Sequence, residues 1–168
     1  MKWFDLAEGD TVLDVGTGTG ILLPLIRQRI GPKGILIGFD FSFKMIEKAR
    51  HRECFGQRIL INATVESLPF QCDRFDQIIC FSAFPHFPNK AKSLFEMVRV
   101  LKSGGGLSIA HLRSMEELNQ FHQHLGEPVA HDLLPHPERA RSLMMESGLF
   151  EIKIINRPGK FLAQGRKI

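Results

Sequence analysis

Short apolar runs alternate with segments of helical periodicity along most of the chain. An apolar run closed by glycine or proline is typical of a buried strand, and apolar residues three and four positions apart are typical of a helix. The runs predict strands over residues 11–15, 34–40, 58–63, 75–82 and 106–112. The helical spacings predict helices over residues 20–30, 42–54, 89–101, 114–125 and 137–146.

Two of these helices carry detailed predictions. The helix after Asn89 has its apolar stripe at Ala91, Leu94, Phe95 and Val98, and we expect the glycine run of residues 102–106 to end it. Ser114 is expected to cap the next helix, whose inner face carries Leu118, Phe121, His122 and Leu125.

The C-terminal end of the chain has a different pattern. Two apolar runs, residues 150–156 and 161–166, flank the turn sequence RPGK, which predicts an antiparallel hairpin. The five earlier strands are separated by helical crossovers, which parallel strands require. We therefore predict an α/β fold with a doubly wound, mostly parallel seven-stranded sheet and this hairpin at one edge.

Composition narrows the class of protein. The 168 residues suit one domain, 43% are hydrophobic and the net charge is +4. Three cysteines without CxxC spacing disfavour a disulfide framework and a four-cysteine zinc site. No apolar run approaches the roughly 18 residues that cross a bilayer. We expect a cytoplasmic protein that does not interact with membranes and is unlike nucleic-acid-binding proteins, since its basic residues lack interleaved aromatic side chains.

The most informative motif joins the first strand to the first helix. It reads DVGTGTG, with Gly16, Gly18 and Gly20 spaced by two and Asp14 at the end of the strand. Glycines there let the backbone approach a ligand closely, and the following helix offers free N–H groups. A second acid, Asp40, ends the second strand, where a carboxylate can accept both ribose hydroxyls of a nucleoside.

Two classes of cofactor compete for this loop. The dinucleotide fingerprint is GxGxxG, whereas this loop is GxGxG with Ile21 at the position of the third dinucleotide glycine. The Asp14 carboxylate would repel a pyrophosphate but suits a ligand that carries an ammonium and a sulfonium. The residues thus favour a nucleoside ligand that carries an ammonium and a sulfonium, and a nicotinamide dehydrogenase is the weaker interpretation.

The chain resembles class I S-adenosylmethionine-dependent methyltransferases of the type 11 kind. The resemblance lies in GDTVLDVGTGTG, IGFDFSFKMIEKAR, ATVESLPFQCDRFDQIICFSAFPHFPN and RVLKSGGGLSIAHL, between Gly9 and about Leu112. It implies a Rossmann-like single domain over residues 1–168, in which residues 113–148 form a lid and acceptor pocket. It also implies an enzyme that transfers a methyl group.

The same resemblance assigns roles to individual positions. The three glycines would hold the methionyl portion of S-adenosylmethionine, Asp14 would lie near its ammonium, and Asp40 would bind the ribose. The adenine region and the end of the fourth strand would involve Phe41, Thr64, Val65, Cys80 and Phe81. Thr64 stands where the family often has an acid, so its contact with the adenine amino group is weak.

Histidines supply the candidate catalytic groups. The resemblance implies that His86, after the fourth strand, and His111, at the end of the fifth, reach the rim of the pocket, and helical spacing turns His122 inward. Each is a candidate base or acceptor-positioning group. A metal reading of the histidine-rich segment 111–136 is open, but its spacing matches no standard motif, so no metal ligand is assigned.

The leading hypothesis is methyl transfer to a small-molecule acceptor by a monomer or homodimer. The alternative is a non-catalytic, cofactor- or metal-binding regulatory module that uses the histidine-rich lid. No (Asp/Asn)-Pro-Pro-(Tyr/Phe) motif follows the fourth strand, which disfavours amino methylation of adenine, cytosine or glutamine.

Overall fold

The computed structural model of the protein describes residues 3–54 and 56–168. Seven strands form one sheet: β1 (Thr11–Val15), β2 (Ile35–Asp40), β3 (Ile59–Asn62), β4 (Phe75–Phe81), β5 (Leu101–His111), β6 (Leu149–Arg157) and β7 (Lys160–Lys167). Five helices cover it: α1 (Leu23–Ile30), α2 (Phe43–Arg50), α3 (Lys90–Val100), α4 (Met115–Leu125) and α5 (Pro137–Glu146). The predicted fold class is confirmed.

The strand order is β3-β2-β1-β4-β5-β7-β6. All pairs from β3 to β5 are parallel, and β7 pairs antiparallel with both β5 and β6. The chain reverses its direction of winding between β1 and β4, which are neighbours in the sheet. Ligands of such sheets bind at the carboxyl ends of the strands at this reversal.

Apolar residues cover both faces of the sheet because neighbouring residues of a strand point to opposite sides. In β1, Val12 packs on the side of α1, and Leu13 packs on the side of α3 and α5. Both residues are fully buried. The reversal point is therefore held by a packed core on each face, which gives the strand ends a fixed position.

Helix α3 ends at Val100, just before the glycine run of residues 102–106, but that run already belongs to β5, which begins five residues earlier than the predicted strand. At Gly105 the surrounding backbone leaves no room for a side chain, and at Gly106 a side chain would require the flexible Gln77 side chain to move. A Cβ on Gly106 would overlap the Gln77 side chain of β4, and one on Gly105 would stand 2.9 Å from the Asp76 carbonyl oxygen. These glycines allow close contact between neighbouring strands, although in a sequence glycines usually indicate the end of an element.

Two details of the predicted helices also differ from the structure. In α3 the buried side chains include Leu94, Met97 and Val98, whereas Ala91 and Phe95 are exposed. In α4, Leu118 and His122 are buried as expected, but Phe121 and Leu125 stay 39% and 56% exposed. Of these two exposed residues, Phe121 lines the pocket described below.

Candidate functional site

The glycine loop follows β1 and has left-handed backbone at each of its three glycines, with φ of 68°, 55° and 75° at Gly16, Gly18 and Gly20. Two of them make close packing contacts. A Cβ on Gly16 would overlap Ala83, and one on Gly20 would stand 3.2 Å from the Ala49 Cβ. A Cβ on Gly18 would meet no atom within 4 Å. Gly18 thus borders free space above the end of the sheet.

Asp40 ends β2 directly beside this loop. Its Oδ2 accepts a hydrogen bond of 2.9 Å from the Gly18 N–H, and its Oδ1 accepts one of 2.9 Å from the Ser42 N–H. A carboxylate has about four acceptor positions on its two oxygens. The backbone uses one on each oxygen, which leaves one on each for a ligand with two neighbouring hydroxyls.

Asp14 lies at the end of β1 and is 2% exposed. The Thr17 hydroxyl donates a 2.6 Å hydrogen bond to its Oδ2. Burial raises the pKa of Asp14 to about 6; the Thr17 bond opposes this rise and the nearby Asp40 carboxylate adds to it. Neither carboxylate forms an ion pair within the described residues. Two acids, Asp14 and Asp40, therefore lie close together beside the glycine loop, where a cationic ligand would offset their negative charge.

The other predicted cofactor residues have contrasting environments. Phe41 is 78% exposed, which excludes a core-packing role. Thr64 is exposed, and Val65 is buried in the core. Cys80 is fully buried, which raises the pKa of its thiol, and Phe81 packs half-buried against the α1 side of the sheet. Phe41 is the large side chain of this group that is available to a ligand.

Residues after β4 connect the glycine loop to a second cavity. Ala83 packs against Gly16, and Ser82, with a left-handed φ of 56°, lines a pocket of about 290 Å³. We call this cavity the histidine pocket. Its lining consists of Ser82, Pro85, His86, His111, Leu112, Arg113, Leu118, Phe121 and His122. All three histidines selected from the sequence therefore meet in one cavity adjacent to the loop.

His86 is paired with an acid. Its Nδ1 lies 2.7 Å from the Asp132 Oδ2, in the segment between α4 and α5, and the two side chains are 37% and 32% exposed. With Nδ1 bound to the carboxylate, Nε2 is the ring nitrogen that remains for a ligand. The ring of His122 lies beside that of His86, with 5.2 Å between centroids.

His122 is 5% exposed, and its Nδ1 hydrogen-bonds the backbone oxygen of Asp132. Asn119, one helical turn earlier, binds both backbone groups of Leu134, with distances of 3.0 and 2.8 Å. Two side chains of α4 thus fasten residues 132–134 beside the histidines of the pocket. We call residues 126–136 the strap.

His111 lies deepest of the three histidines. It is 2% exposed, and its Nε2 is buried without a hydrogen-bond partner among the described residues. Burial lowers the pKa of His111 to about 3, with the neighbouring His86 and His122 adding to the shift. His111 is therefore neutral at physiological pH and is a hydrogen-bonding group of the pocket rather than a strong base.

Sequence reasoning selected the three histidines but did not identify four residues that complete the site. Asp132 was noted only as part of a histidine-rich stretch, because 46 residues separate it from its partner His86. Thr17, Ser82 and Arg113 carry no signal of their own in a single sequence.

Comparison with known proteins gives the family. A family model described as a methyltransferase domain matches residues 6–143, which include the glycine loop and the histidine pocket. The ubiquinone/menaquinone biosynthesis C-methyltransferase UbiE of Vibrio campbellii is 30% identical over 184 aligned positions, which cover 94% of this chain and 71% of that protein. The chain belongs to the methyltransferase-domain family. It is an S-adenosylmethionine-dependent methyltransferase.

Solved structures agree with this methyltransferase in fold. A Haloferax volcanii methyltransferase, solved with the Trm112 activator, superposes with a TM-score of 0.80 at 24% identity, covering 96% of this chain and 84% of that chain. A methyltransferase from Aquifex aeolicus superposes with a TM-score of 0.79 at 22% identity, covering 97% and 85%. The alternative of a non-catalytic regulatory module finds no support in these similarities.

The residues of this methyltransferase fit S-adenosylmethionine. The free space at Gly18 accommodates a ligand against the backbone, and Asp40 keeps acceptor capacity for two hydroxyls. Asp14 offers a negative charge with no cation beside it, and Phe41 exposes an aromatic face. Asp14 thus matches the ammonium of the ligand, Asp40 matches the ribose, and Phe41 matches the adenine.

Two further observations concern the described residues only. No group of three or more histidine, cysteine, aspartate or glutamate side chains is arranged there to hold a metal ion. None of the five helices is long and apolar enough to cross a membrane.

Proposed function

We propose that this methyltransferase acts on a small-molecule acceptor that gives up a proton, with the His86–Asp132 pair as the general base. The hydrogen bond between His86 Nδ1 and Asp132 Oδ2 carries this proposal, because it fixes the imidazole and leaves Nε2 for the acceptor. A pocket of about 290 Å³ is at the lower end of the range for small-molecule sites, about 300–1,000 Å³.

On the cofactor side, Gly16, Gly18 and Gly20 shape the backbone cradle, Asp14 faces the ammonium and Asp40 binds the ribose. Phe41 and the buried Val65 flank the adenine, with Thr64, Cys80 and Phe81 at the edge of this region. The opposed environments of Phe41, which is exposed, and Cys80, which is buried, support a direct contact for the first and a packing role for the second.

S-adenosylmethionine supplies a methyl group on a positively charged sulfur, and a neutral thioether remains after transfer. The histidine pocket, which adjoins the glycine loop through Ala83 and Ser82, would hold the acceptor atom next to that methyl group. His86 takes the proton of the acceptor at Nε2, and Asp132 stabilises the resulting imidazolium. Neutral His111 hydrogen-bonds the acceptor. His122 holds the strap in place by its hydrogen bond with the Asp132 backbone.

The similarity to UbiE of Vibrio campbellii adds one element to the proposal. That relative is named as a C-methyltransferase. In a phenol or an enol the hydroxyl loses its proton to the base, and the anion that results can attack through its oxygen or through the neighbouring carbon, which then releases its own C–H proton. The His86–Asp132 pair can therefore serve carbon and oxygen acceptors alike. We therefore propose phenols and enols as the acceptor class. The residues of the strap and of α4, within the predicted lid, would select among them.

The test is methyl transfer from deuterium-labelled S-adenosylmethionine to a panel of phenols and enols, read by mass spectrometry. His86→Gln should reduce kcat by about 10²–10⁴-fold while leaving affinity for S-adenosylhomocysteine unchanged. Asp132→Asn should reduce kcat less, because it removes charge but keeps a side chain beside the ring.

His131→Gln is the matched control, since His131 lies in the strap but its side chain is 88% exposed and contacts only Glu127, at 3.3 Å. Wild-type turnover in His86→Gln would remove the base from the mechanism. Methylation of proteins or nucleic acids in the absence of any small-molecule product would overturn the acceptor class.

A further inference from the structure

The histidine pocket has a cation at its mouth and no acid in its lining. Arg113 is the charged residue among its nine lining residues, and the others are apolar, histidine or serine. Two carboxylates lie nearby, and both already accept hydrogen bonds, although Glu117 also interacts electrostatically with Arg113. Asp132 is bound to His86, and Glu117 accepts hydrogen bonds from the N–H groups of Ser114, at 2.8 Å, and Gly159, at 2.9 Å. The pocket therefore favours an anion over a cation.

The structure fixes the position of Arg113 from both sides. His111 ends β5 two residues before it, and Ser114 begins α4 with a capping box formed with Glu117. The Arg113 guanidinium lies on the face of Phe121, with 3.9 Å between its central carbon and the ring centroid. No described residue accepts a hydrogen bond from it. A guanidinium stacked in this way presents its N–H groups edge-on, in the geometry that binds a carboxylate with two hydrogen bonds.

Flat rings form the walls behind this guanidinium. The centroids of Phe121 and His122 are 6.0 Å apart, and those of His122 and His86 are 5.2 Å apart. Leu118 and Pro85 supply apolar surface between them. The exposed faces of such rings favour planar ligands that can stack on them. Below them, the buried Nε2 of His111 has no partner, so a hydroxyl on the deep end of a ligand would satisfy it.

We infer that the histidine pocket binds a small planar carboxylic acid that carries a hydroxyl, with Arg113 holding the carboxylate at the mouth. This inference rests on the proposed function and narrows it from phenols and enols to their acids. Arg113 is then a specificity-determining residue, placed opposite the histidines that handle the hydroxyl.

Binding experiments test the inference without requiring turnover. The probes are 4-hydroxybenzoate and salicylate, with 4-hydroxybenzamide as the neutral analogue and 4-hydroxybenzylamine as the cationic one. Each is titrated into the full-length protein loaded with S-adenosylhomocysteine, and the imidazole signals of the protein are followed by NMR. At least one of the two acids should bind and shift the signals of His86 and His122, and the amide and the amine should bind at least tenfold more weakly.

Variants separate a built site from a general charge effect. Arg113→Gln should weaken binding of the acid at least tenfold and leave the amide unchanged. The affinity of Arg113→Lys for the acid should lie between those of the wild type and Arg113→Gln, because a lysine keeps the charge but lacks the planar pair of donors. Arg139→Gln is the control, since Arg139 is an exposed arginine paired with Glu146 at 3.1 Å on α5. Melting temperatures close to that of the wild type establish that each variant is folded.

The outcomes are decisive for each proposal separately. If neither acid binds at millimolar concentration, if the amide or the amine binds as tightly as the acid, or if Arg113→Gln leaves acid binding unchanged, the inference is wrong. If acids bind through Arg113 but are not methylated, the ligand class stands and the proposed role of the base falls. If neutral phenols are methylated while acids do not bind, the proposed function stands and this inference falls.

Discussion

Gly16 of the glycine loop packs directly against Ala83, the second residue after β4, and a side chain on Gly16 would occupy the same space as the Ala83 methyl group. This contact joins the cofactor loop to the segment that leads into the histidine pocket. It also means that the first glycine of the motif has a packing role that is separate from ligand binding.

Gly16→Ala should therefore destabilise the protein even without a ligand. The substitution adds a methyl group against Ala83 at a backbone φ of 68°, and the overlap and the left-handed backbone together cost about 2–4 kcal/mol. Chemical denaturation of the ligand-free protein measures this loss. A free energy of unfolding within 0.5 kcal/mol of the wild type, which is typical of neutral surface changes, would contradict the packing role.

Gly18→Ala should have the opposite profile, with a small effect on stability and a large one on ligand binding. Its Cβ would meet no protein atom within 4 Å but would project into the space that the cofactor needs. We expect affinity for S-adenosylhomocysteine, measured by calorimetry, to fall at least tenfold. Gly104→Ala is the matched control, because Gly104 has a φ of 77° and equally free surroundings but lies in β5. Equal binding losses in both variants would refute a contact at Gly18.

Asp14 should make cofactor binding sensitive to pH. In the free protein, burial raises its pKa to about 6 from an ordinary value of 3.8, so the carboxyl is increasingly protonated below pH 6. A ligand ammonium favours the ionised form. Affinity for S-adenosylhomocysteine should therefore fall as pH drops through about 6, and this slope should disappear in Asp14→Asn. A wild-type affinity that stays constant from pH 5 to 7.5 would exclude the ammonium contact.

The same group affects stability in the opposite sense. Because the folded-state pKa of Asp14 is raised, its protonated form contributes stability that is complete below the unfolded-state pKa and is lost as pH rises through about 6. Relative to Asp14→Asn, the ligand-free wild type should lose on the order of 2–3 kcal/mol between pH 4 and 7.5. Denaturation at these two pH values measures the difference, and parallel pH curves for the two proteins would contradict it.

His122 has both a structural and a pocket role. It is 5% exposed and hydrogen-bonds the backbone of Asp132 in the strap, so His122→Ala should lower the free energy of unfolding by about 1–3 kcal/mol. Hydrogen exchange should accelerate in residues 126–136, while affinity for S-adenosylhomocysteine stays unchanged. His124→Ala is the control, since His124 is exposed and bonds only the Gln120 backbone oxygen of its own helix, at 2.6 Å. If hydrogen exchange in the strap is as slow in His122→Ala as in the wild type, His122 does not hold the strap in place.

Local patterns predict much of the fold. The Ser114 cap follows from a serine three residues before Glu117, since the two residues satisfy each other's backbone N–H groups within one turn. The inward orientation of His122 follows from the helical repeat. The continuation of β5 through Gly104 does not, because it depends on pairing with strands far away in the chain, which override the preference of glycine for loops.

In the candidate site, too, some residues can be identified from the sequence and others only from the folded structure. Asp14 and Asp40 are identified by their positions at strand ends, and parallel strands bring such ends together. The pairing of His86 with Asp132 depends on how the strap folds back, and no spacing encodes it. Likewise, Arg113 becomes informative only when its stacking on Phe121 and the engagement of nearby carboxylates are known. Contacts within one turn are encoded locally, whereas contacts across the pocket are a product of tertiary packing.

The end of β4 also separates two functions along the polypeptide. Every residue proposed to hold the methyl donor precedes Ser82, and every residue that lines the histidine pocket is Ser82 or follows it. Most of that lining, together with the strap that contacts its histidines, comes from the continuous stretch between the end of β5 and α5. A descendant of this chain could therefore acquire changes in that one stretch and accept a new substrate, while the residues that bind the methyl donor stay the same. Substrate specificity could thus evolve separately from binding of the donor.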